Sequence, residues 1–296
     1  MKFMNETLSI NPNNVNAQEL AQELKVDFNL EMIENSFPFV KPNGDLIQLK
    51  PESYNIYRTD TYECLNKGTA TTKGFTPVKP TEFLSKFLSV TQTLDATITD
   101  SKIIGNGARM YFTAKLPQDM LVNDGEVINM YVIGLLCLDG TKSSGISVSQ
   151  FRQICSNGMG TLDLEGKTKM KLTKNVHFKM ETLQERTLSI LENSKSIYNE
   201  LLTKKVSDAW VENTIKDIFG KSESTRATNI RQDVMNSYLF GEGQENIKGT
   251  AYGFFNGITH YLSNKDYKTE ERLFEGVLNG QESSKINKAL KLALAN

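Results

Sequence analysis

The chain has 296 residues, of which 39% are hydrophobic, 23% charged and 9% aromatic, a composition that can bury a core and that excludes a disordered chain. Its 34 basic and 35 acidic residues give a formal net charge of −1, so it is not a bulk polycation, and any anionic ligand must meet a local basic patch. No run approaches the roughly 18 apolar residues of a membrane-spanning helix, and the first residues lack the apolar core of a signal peptide. We therefore expect a cytoplasmic protein.

Cysteine and histidine are too few for several catalytic chemistries. Cys64, Cys137 and Cys155 are spaced for neither a disulfide framework nor a zinc-ligand pair, which favours buried free thiols. The two histidines, His177 and His260, have no recognisable nucleophile or acid motif nearby, and neither glycine-rich phosphate-loop motif is present. We therefore predict no catalytic residue, no metal, no cofactor and no nucleotide hydrolysis.

The N-terminal two thirds of the chain reads as a short arm followed by strands. Asn16 and Glu19 have the spacing of a capping box, which predicts a short helix within an N-terminal arm, residues 1–35. Residues 36–180 hold six of the seven prolines and short alternating runs, so we predict a mainly β core there. One helix is inserted at about 80–90, where Pro80 stands at a helix start before an apolar stripe, Phe83, Leu84, Phe87 and Leu88.

Residues 181–296 contain no proline and are spaced as helices. We predict helices at 182–204, 208–219, 225–240, 250–263 and 270–295, and a short helix earlier in the chain at 148–156. Strands are predicted near 94–104 and at 108–116, 126–138 and 166–173. The expected fold is α+β, with a central antiparallel β-sheet core, an inserted helix and an α-helical C-terminal region.

Two of these strands predict a basic surface. In the first, Arg109, Tyr111 and Lys115 alternate with apolar residues, which indicates one buried and one basic face. In the strand at 166–173, Lys167, Lys169 and Lys171 alternate in the same way, about 7 Å apart, a spacing similar to that of successive phosphates of a single strand. The segment 139–180 has seven basic residues against three acidic ones, whereas the whole chain is almost neutral.

Lysines that track phosphates beside an aromatic side chain that stacks on bases suit sequence-independent binding of single-stranded DNA. The candidate contacts are Arg109, Tyr111, Lys115, Lys142, Arg152, Lys167, Lys169, Lys171 and Lys174. Several of them also have a structural interpretation: alternating lysines protect edge strands, Tyr111 can pack beneath a loop, and Arg152 can form a helix cap or a surface ion pair.

Several segments occur in an order that resembles a known family. They read IYRTDTYECLNKG with TPVKPTEF, GARMYFTAKLP, LDGTKSSG, FRQICSNGM, a histidine at 177 and TAYGFFNGITHYLSN. Together, over roughly residues 45 to 275, they resemble the phage/plasmid-like proteins of the domain-of-unknown-function family 932. The resemblance implies a gene carried on phages, plasmids or integrated elements of bacteria, and it implies no activity.

The predicted order of one helix, three strands and a second helix is also similar to the core of phage single-strand annealing proteins. That resemblance implies a ring or filament that lays DNA along a basic groove. We therefore predict a phage- or plasmid-encoded, oligomeric protein in a bacterial host that binds single-stranded DNA and promotes annealing or recombination. A host or phage replication or recombination protein is a further expected partner.

Two other functions remain open. One is a protein-interaction factor that inhibits or redirects a host defence system, since a net charge of −1 suits such a surface equally well. The other is a nuclease, which would require the fold to gather carboxylates for a divalent metal, with Asp60, Glu63, Asp139 and Asp163 as candidates.

Overall fold

The computed structural model describes residues 8–35, 38–48, 53–66, 71, 75–117, 120–122, 126–142, 144–152, 157–158, 189, 193–194, 196–269, 272, 275–277 and 280–296. It has the predicted α+β fold, in which a central antiparallel sheet is followed by a helical C-terminal region. The independence of the three predicted regions as domains stays a prediction.

The N-terminal arm folds as its sequence indicates. A 3-10 turn at Pro12–Asn14 precedes helix α1, Ala17–Glu23. The Asn16 side chain accepts hydrogen bonds from the backbone of Gln18 and Glu19, and the Glu19 carboxylate accepts one from the Asn16 amide. The predicted capping box is therefore confirmed.

Two small antiparallel ribbons follow helix α1. Strand β1, Leu30–Glu34, pairs with β4, Tyr54–Arg58, and β2, Pro38–Val40, pairs with β3, Leu46–Gln48. The first ribbon is joined to the central sheet through Arg58, whose guanidinium donates a 2.7 Å hydrogen bond to the carbonyl of Asn106.

The strands of the central sheet are β5 (Thr97–Ile104), β6 (Arg109–Lys115), β7 (Met120–Val122), β8 (Glu126–Cys137), β9 (Gly145–Arg152) and β10 (Asn157–Gly158). Their order across the sheet is β10-β9-β8-β6-β5, with β7 beside β8, and every neighbouring pair is antiparallel. The strands predicted near 94–104 and at 108–116 and 126–138 are confirmed, whereas 166–173 lies outside the described residues. Ile10 exchanges two backbone hydrogen bonds with Ile98, so the arm lies along the outer edge of β5.

Helix α2, Pro80–Thr93, packs on one face of this sheet. The rings of Phe83 and Phe87 lie 6.0 and 5.9 Å from the ring of Phe112, measured between centroids. Gly134 of β8 permits this approach, because a Cβ there would lie 2.8 Å from the Phe87 ring. The predicted inserted helix and its apolar stripe are confirmed.

The helix predicted at 148–156 is wrong. Residues 145–152 form β9, which pairs with β8 from Gly145 to Arg152, and β10 begins at Asn157. Ile146 and Val148 are buried and alternate with serines, so the period is two and the cross-strand hydrogen bonds determine the structure. Residues 148–152, the first part of the helix that was expected to complete the order similar to annealing proteins, therefore form a strand.

The C-terminal region is helical, as predicted. Its labelled helices are α3 (Asp208–Phe219), α4 (Thr225–Phe240), α5 (Ala251–Asn264) and α6 (Gln281–Ala295). Residues 189, 193–194 and 196–203 are also helical. Ser207, Ser224 and Thr250 cap three of these helices by accepting hydrogen bonds from backbone amides of the first turn.

The prediction of one continuous helix over 270–295 is wrong. Residues 275–277 are helical, but the extended backbone of Gly280, with φ −105° and ψ −158°, precedes the start of α6. No helix within the described ranges is both long enough and apolar enough to cross a bilayer.

Candidate functional site

Four charged side chains meet at one end of the central sheet; we call them the Arg109 cluster, formed by Arg109, Asp139, Lys142 and Glu275. Arg109 is the first residue of β6 and lies opposite Cys137, the last residue of β8. Its Nε lies 3.0 Å from Asp139 Oδ2, and its Nη1 donates a hydrogen bond to Glu275 Oε1. Lys142 Nζ lies 3.8 Å from the same Glu275 oxygen. The cluster joins residues 166 positions apart in the chain.

The turn after β8 positions Asp139. Oδ1 of this carboxylate accepts hydrogen bonds from the Thr141 amide at 3.0 Å and the Thr141 hydroxyl at 2.6 Å, a side-chain turn typical of Asp before Gly. Gly140 has a φ of +72°, which the tight turn requires. Ser144 closes the loop, since its hydroxyl accepts a 2.9 Å hydrogen bond from the Cys137 amide. Asp139 is therefore held by Oδ1 while Oδ2 remains directed at Arg109.

The cluster is partly buried and its formal charges balance. The side chains of Arg109 and Lys142 are 24% and 22% exposed, and those of Asp139 and Glu275 are 12% and 17% exposed. Burial lowers the pKa of Lys142, and the nearby Glu275 carboxylate opposes that effect. Two cations and two anions at such depth form a network in which removal of one member would leave its partners poorly compensated.

The thiol of Cys137 belongs to the same environment. Its Sγ lies 2.9 Å from Asp139 Oδ1, and the residue is buried. Burial raises the pKa of the Cys137 thiol, and the adjacent Asp139 carboxylate adds to the increase. The group is therefore a protonated, weakly nucleophilic thiol at neutral pH.

The prediction of Tyr111 as an exposed stacking platform is wrong. The side chain is fully buried, and its hydroxyl lies 3.5 Å from Glu275 Oε1. Thr113, two residues further along the same side of β6, is also buried. The second face of the sheet is thus covered here as well, so the alternation of polar and apolar residues on β6 does not mark a solvent boundary.

Of the other predicted contact residues, the structure describes Lys115 and the backbone of Arg152, and both lie away from the cluster along their strands. Lys115 is half-buried at the far end of β6, six residues and about 20 Å from Arg109. Arg152 ends β9, where its backbone pairs with Ile128 and Asn157. The remaining candidates lie outside the described residues, namely Lys167, Lys169, Lys171 and Lys174.

Two of the carboxylates considered for a nuclease form local contacts near the β5–β6 turn. Asp60 accepts two hydrogen bonds from the Arg58 guanidinium, at 3.0 and 2.6 Å, and Glu63 accepts two from the side-chain Nδ2 of Asn106, at 2.7 and 2.8 Å. Across the described ranges, no three His, Cys, Asp or Glu side chains are grouped so as to hold a metal ion. Asp163 lies outside the residues described.

Sequence reasoning identified Arg109, Lys142 and Asp139 but missed Glu275. The first two were selected as basic residues that could contact phosphates, and Asp139 as a carboxylate that could bind a divalent metal. Glu275 gave no signal, because it is one of many acidic residues in a helical region and contacts the sheet only through tertiary structure.

The fold is of the α+β class, with one helix packed on an antiparallel sheet and a helical C-terminal region. The chain belongs to the family described as Domain of unknown function (DUF932), whose model matches residues 69–290. The matched region includes every member of the Arg109 cluster. No curated protein and no solved structure was found to match the chain.

Proposed function

We propose that this protein binds single-stranded DNA without nucleotide hydrolysis and promotes strand annealing during recombination. It acts as a homo-oligomer in the cytoplasm of a bacterium, and its gene is carried by a phage or a plasmid. The observation that carries the proposal is the alternation of Lys167, Lys169 and Lys171 in a nearly neutral chain. Lysines at two-residue steps match the repeat of a phosphate backbone, and such contacts require no base sequence.

The distribution of charge supports this assignment. The Arg109 cluster contains two cations and two anions, so it adds no net positive charge to the protein surface. Residues 143–180 then contain six basic residues and two acidic ones, a local excess of four positive charges in a chain of net charge −1. We therefore assign the principal phosphate contacts to the residues of this segment, Arg152, Lys167, Lys169, Lys171 and Lys174.

The test is fluorescence anisotropy of a labelled oligonucleotide, single- and double-stranded, titrated with protein across a salt series. We expect preference for the single strand. The variant K167E/K169E/K171E should bind at least ~10-fold more weakly, and the slope of log K against log salt should fall by about 2, for three lost phosphate contacts. Unchanged affinity and slope in this variant would falsify the proposal.

A matched control carries the same change of charge elsewhere. Lys248, Lys268 and Lys291 are exposed residues of the C-terminal region, so K248E/K268E/K291E should keep the wild-type affinity and slope. Equal losses in both variants would indicate a general charge effect and contradict a localised site.

Annealing requires its own measurement. Two complementary oligonucleotides, one carrying a fluorophore and the other a quencher, report pairing directly. We expect the protein to accelerate pairing without a nucleoside triphosphate and to elute as a multimer. DNA binding without acceleration would limit the function to strand protection.

A protein-interaction factor is the second candidate, and two exposed aromatic side chains favour it. Tyr62 and Phe240 are each 78% exposed, and exposed aromatic side chains are enriched among the anchors of protein–protein interfaces. A host-protein complex that survives nuclease and high salt, and that is lost in F240S or Y62S, would favour this function. A phosphate-mediated complex would dissociate under the same conditions.

A further inference from the structure

Three hydrogen-bond donors converge on a single oxygen atom of Glu275. Oε1 accepts a hydrogen bond from Arg109 Nη1, lies 3.5 Å from the Tyr111 hydroxyl and lies 3.8 Å from Lys142 Nζ. Two of the donors are cationic and the third is a phenol that is buried. Such an arrangement is complementary to one anionic oxygen, whether that oxygen belongs to a carboxylate or to a phosphate.

Two of the three donors have supports other than Glu275. The backbones of Arg109 and Tyr111 are fixed by the pairing of β6 with β5 and β8 on both sides. The Arg109 side chain also pairs with Asp139, whose other oxygen is fixed by the Thr141 turn. These two donors therefore remain beside the oxygen position when the Glu275 carboxylate moves away, which favours a preformed site.

The Glu275 carboxylate can rotate toward solvent when a bound phosphate replaces its negative charge beside Arg109 and Lys142. Its side chain is 17% exposed, so solvent reaches it, whereas the neighbouring Val277 is fully buried and keeps the short helical segment packed. Rotation of the flexible glutamate side chain is thus sufficient to open the oxygen position that it fills.

We propose that Arg109, Lys142 and the Tyr111 hydroxyl form a phosphate subsite that Glu275 occupies as an internal competitor. A phosphate group displaces the carboxylate, and removal of the carboxylate charge raises affinity for phosphate. The identity of that phosphate as part of a DNA strand rests on the proposed function above; the subsite itself does not. Glu275 then sets a threshold, since only a ligand that supplies additional contacts elsewhere displaces it.

The test uses inorganic pyrophosphate with full-length protein, at constant ionic strength maintained with chloride. Binding is followed by calorimetry and by the pyrophosphate-dependent rise in Tm. E275Q, which keeps the shape of the side chain but loses its charge, should bind about 10-fold more tightly than the wild type, the effect of one charge-assisted contact. The double variant R109Q/E275Q should lose that gain. E245Q removes one charge at an exposed position and should match the wild type.

The second arm replaces pyrophosphate with labelled single-stranded DNA. Tighter DNA binding by E275Q, together with loss of the gain in R109Q/E275Q, supports the subsite and its use in DNA binding. A gain for pyrophosphate with no DNA binding by any variant supports the subsite and overturns the proposed function. Equal pyrophosphate affinity in E275Q and the wild type overturns the subsite, and leaves the lysine segment to be judged by its own variants.

The variant K142Q provides an independent measurement in case E275Q fails to fold. Lys142 is one of the three donors and lies in a turn, so K142Q should bind pyrophosphate about 10-fold more weakly than the wild type, whereas K248Q, at an exposed position, should match the wild type. Equal pyrophosphate affinity in K142Q and the wild type would overturn the subsite.

Discussion

Gly257 of α5 lies directly against the backbone of Tyr238 in α4: a Cβ at position 257 would lie 2.7 Å from the Tyr238 Cα. Because backbone atoms cannot yield as a flexible side chain does, G257A should force the helices apart and destabilise the protein by about 1–3 kcal/mol. Urea denaturation measures the change. D233A, at an exposed position of α4, should change stability by no more than ~0.5 kcal/mol. A G257A protein as stable as the wild type would show that α4 and α5 tolerate separation.

The capping box of α1 predicts a local effect. N16A removes the acceptor for the amides of Gln18 and Glu19 and should cost about 1 kcal/mol. Hydrogen exchange in residues 17–23 should accelerate, while exchange in β8 follows only the change in global stability. N13A, outside the box, is the matched control. Uniform acceleration across the chain would mean that α1 does not open locally.

The pair of Arg58 and Asp60 predicts an acid-dependent loss of stability. Hydrogen bonds from Arg58 lower the pKa of the Asp60 carboxyl below its usual value. The folded-state pKa is thus lower than the unfolded one, so the contribution is fully present above about pH 4 and is lost as pH falls through the folded pKa. D60N should lose this part of the pH dependence when stability is measured from pH 5 to pH 2. D266N, an exposed control, should keep it.

Cys137 and Cys64 should differ in reactivity. Burial raises the pKa of the Cys137 thiol, whereas Cys64 is half-buried. In native protein at pH 8, iodoacetamide should modify Cys64 at least ~10-fold faster than Cys137, as measured by peptide mass spectrometry. In denaturant the two rates should become similar. Rapid native modification of Cys137 would contradict the buried position assigned to it.

The spacing of hydrophobic residues predicted the helices and strands well where either the helical or the strand periodicity clearly dominates. Pro80 followed by the stripe that contains Phe83 and Phe87 fixes both the start and the buried face of α2. The apolar run of β8 is buried on both faces, as a central strand requires. The prediction of a helix at 148–156 failed because Phe151, Ile154 and Cys155 fit helical spacing, whereas Ile146 and Val148 have the period of a strand. Only the pairing with β8 decides between the two structures.

The site was less predictable than the fold, because tertiary contacts define it. Tyr111 alternates with apolar neighbours as an exposed residue would, yet Glu275, from a distant segment, lies over its hydroxyl. Glu275 also pairs with Arg109, which was predicted to be a surface cation and is instead a member of a neutral cluster. Periodicity reports which residues share a face of a strand, and it carries no information on what covers that face.

The path of the N-terminal arm along β5 bears on assembly. Leu8 and Ile10 donate backbone hydrogen bonds to Thr99 and Ile98, so the first part of this outer edge already has a partner strand. Free strand edges are the surfaces through which sheets of separate molecules join. An oligomer that formed by pairing strands of two molecules at this edge of β5 would first have to displace residues 8–10 from it. If the protein forms multimers, the intact chain should therefore associate there through side-chain surfaces, and a chain that lacks residues 1–10 should aggregate more readily through the uncovered edge of β5.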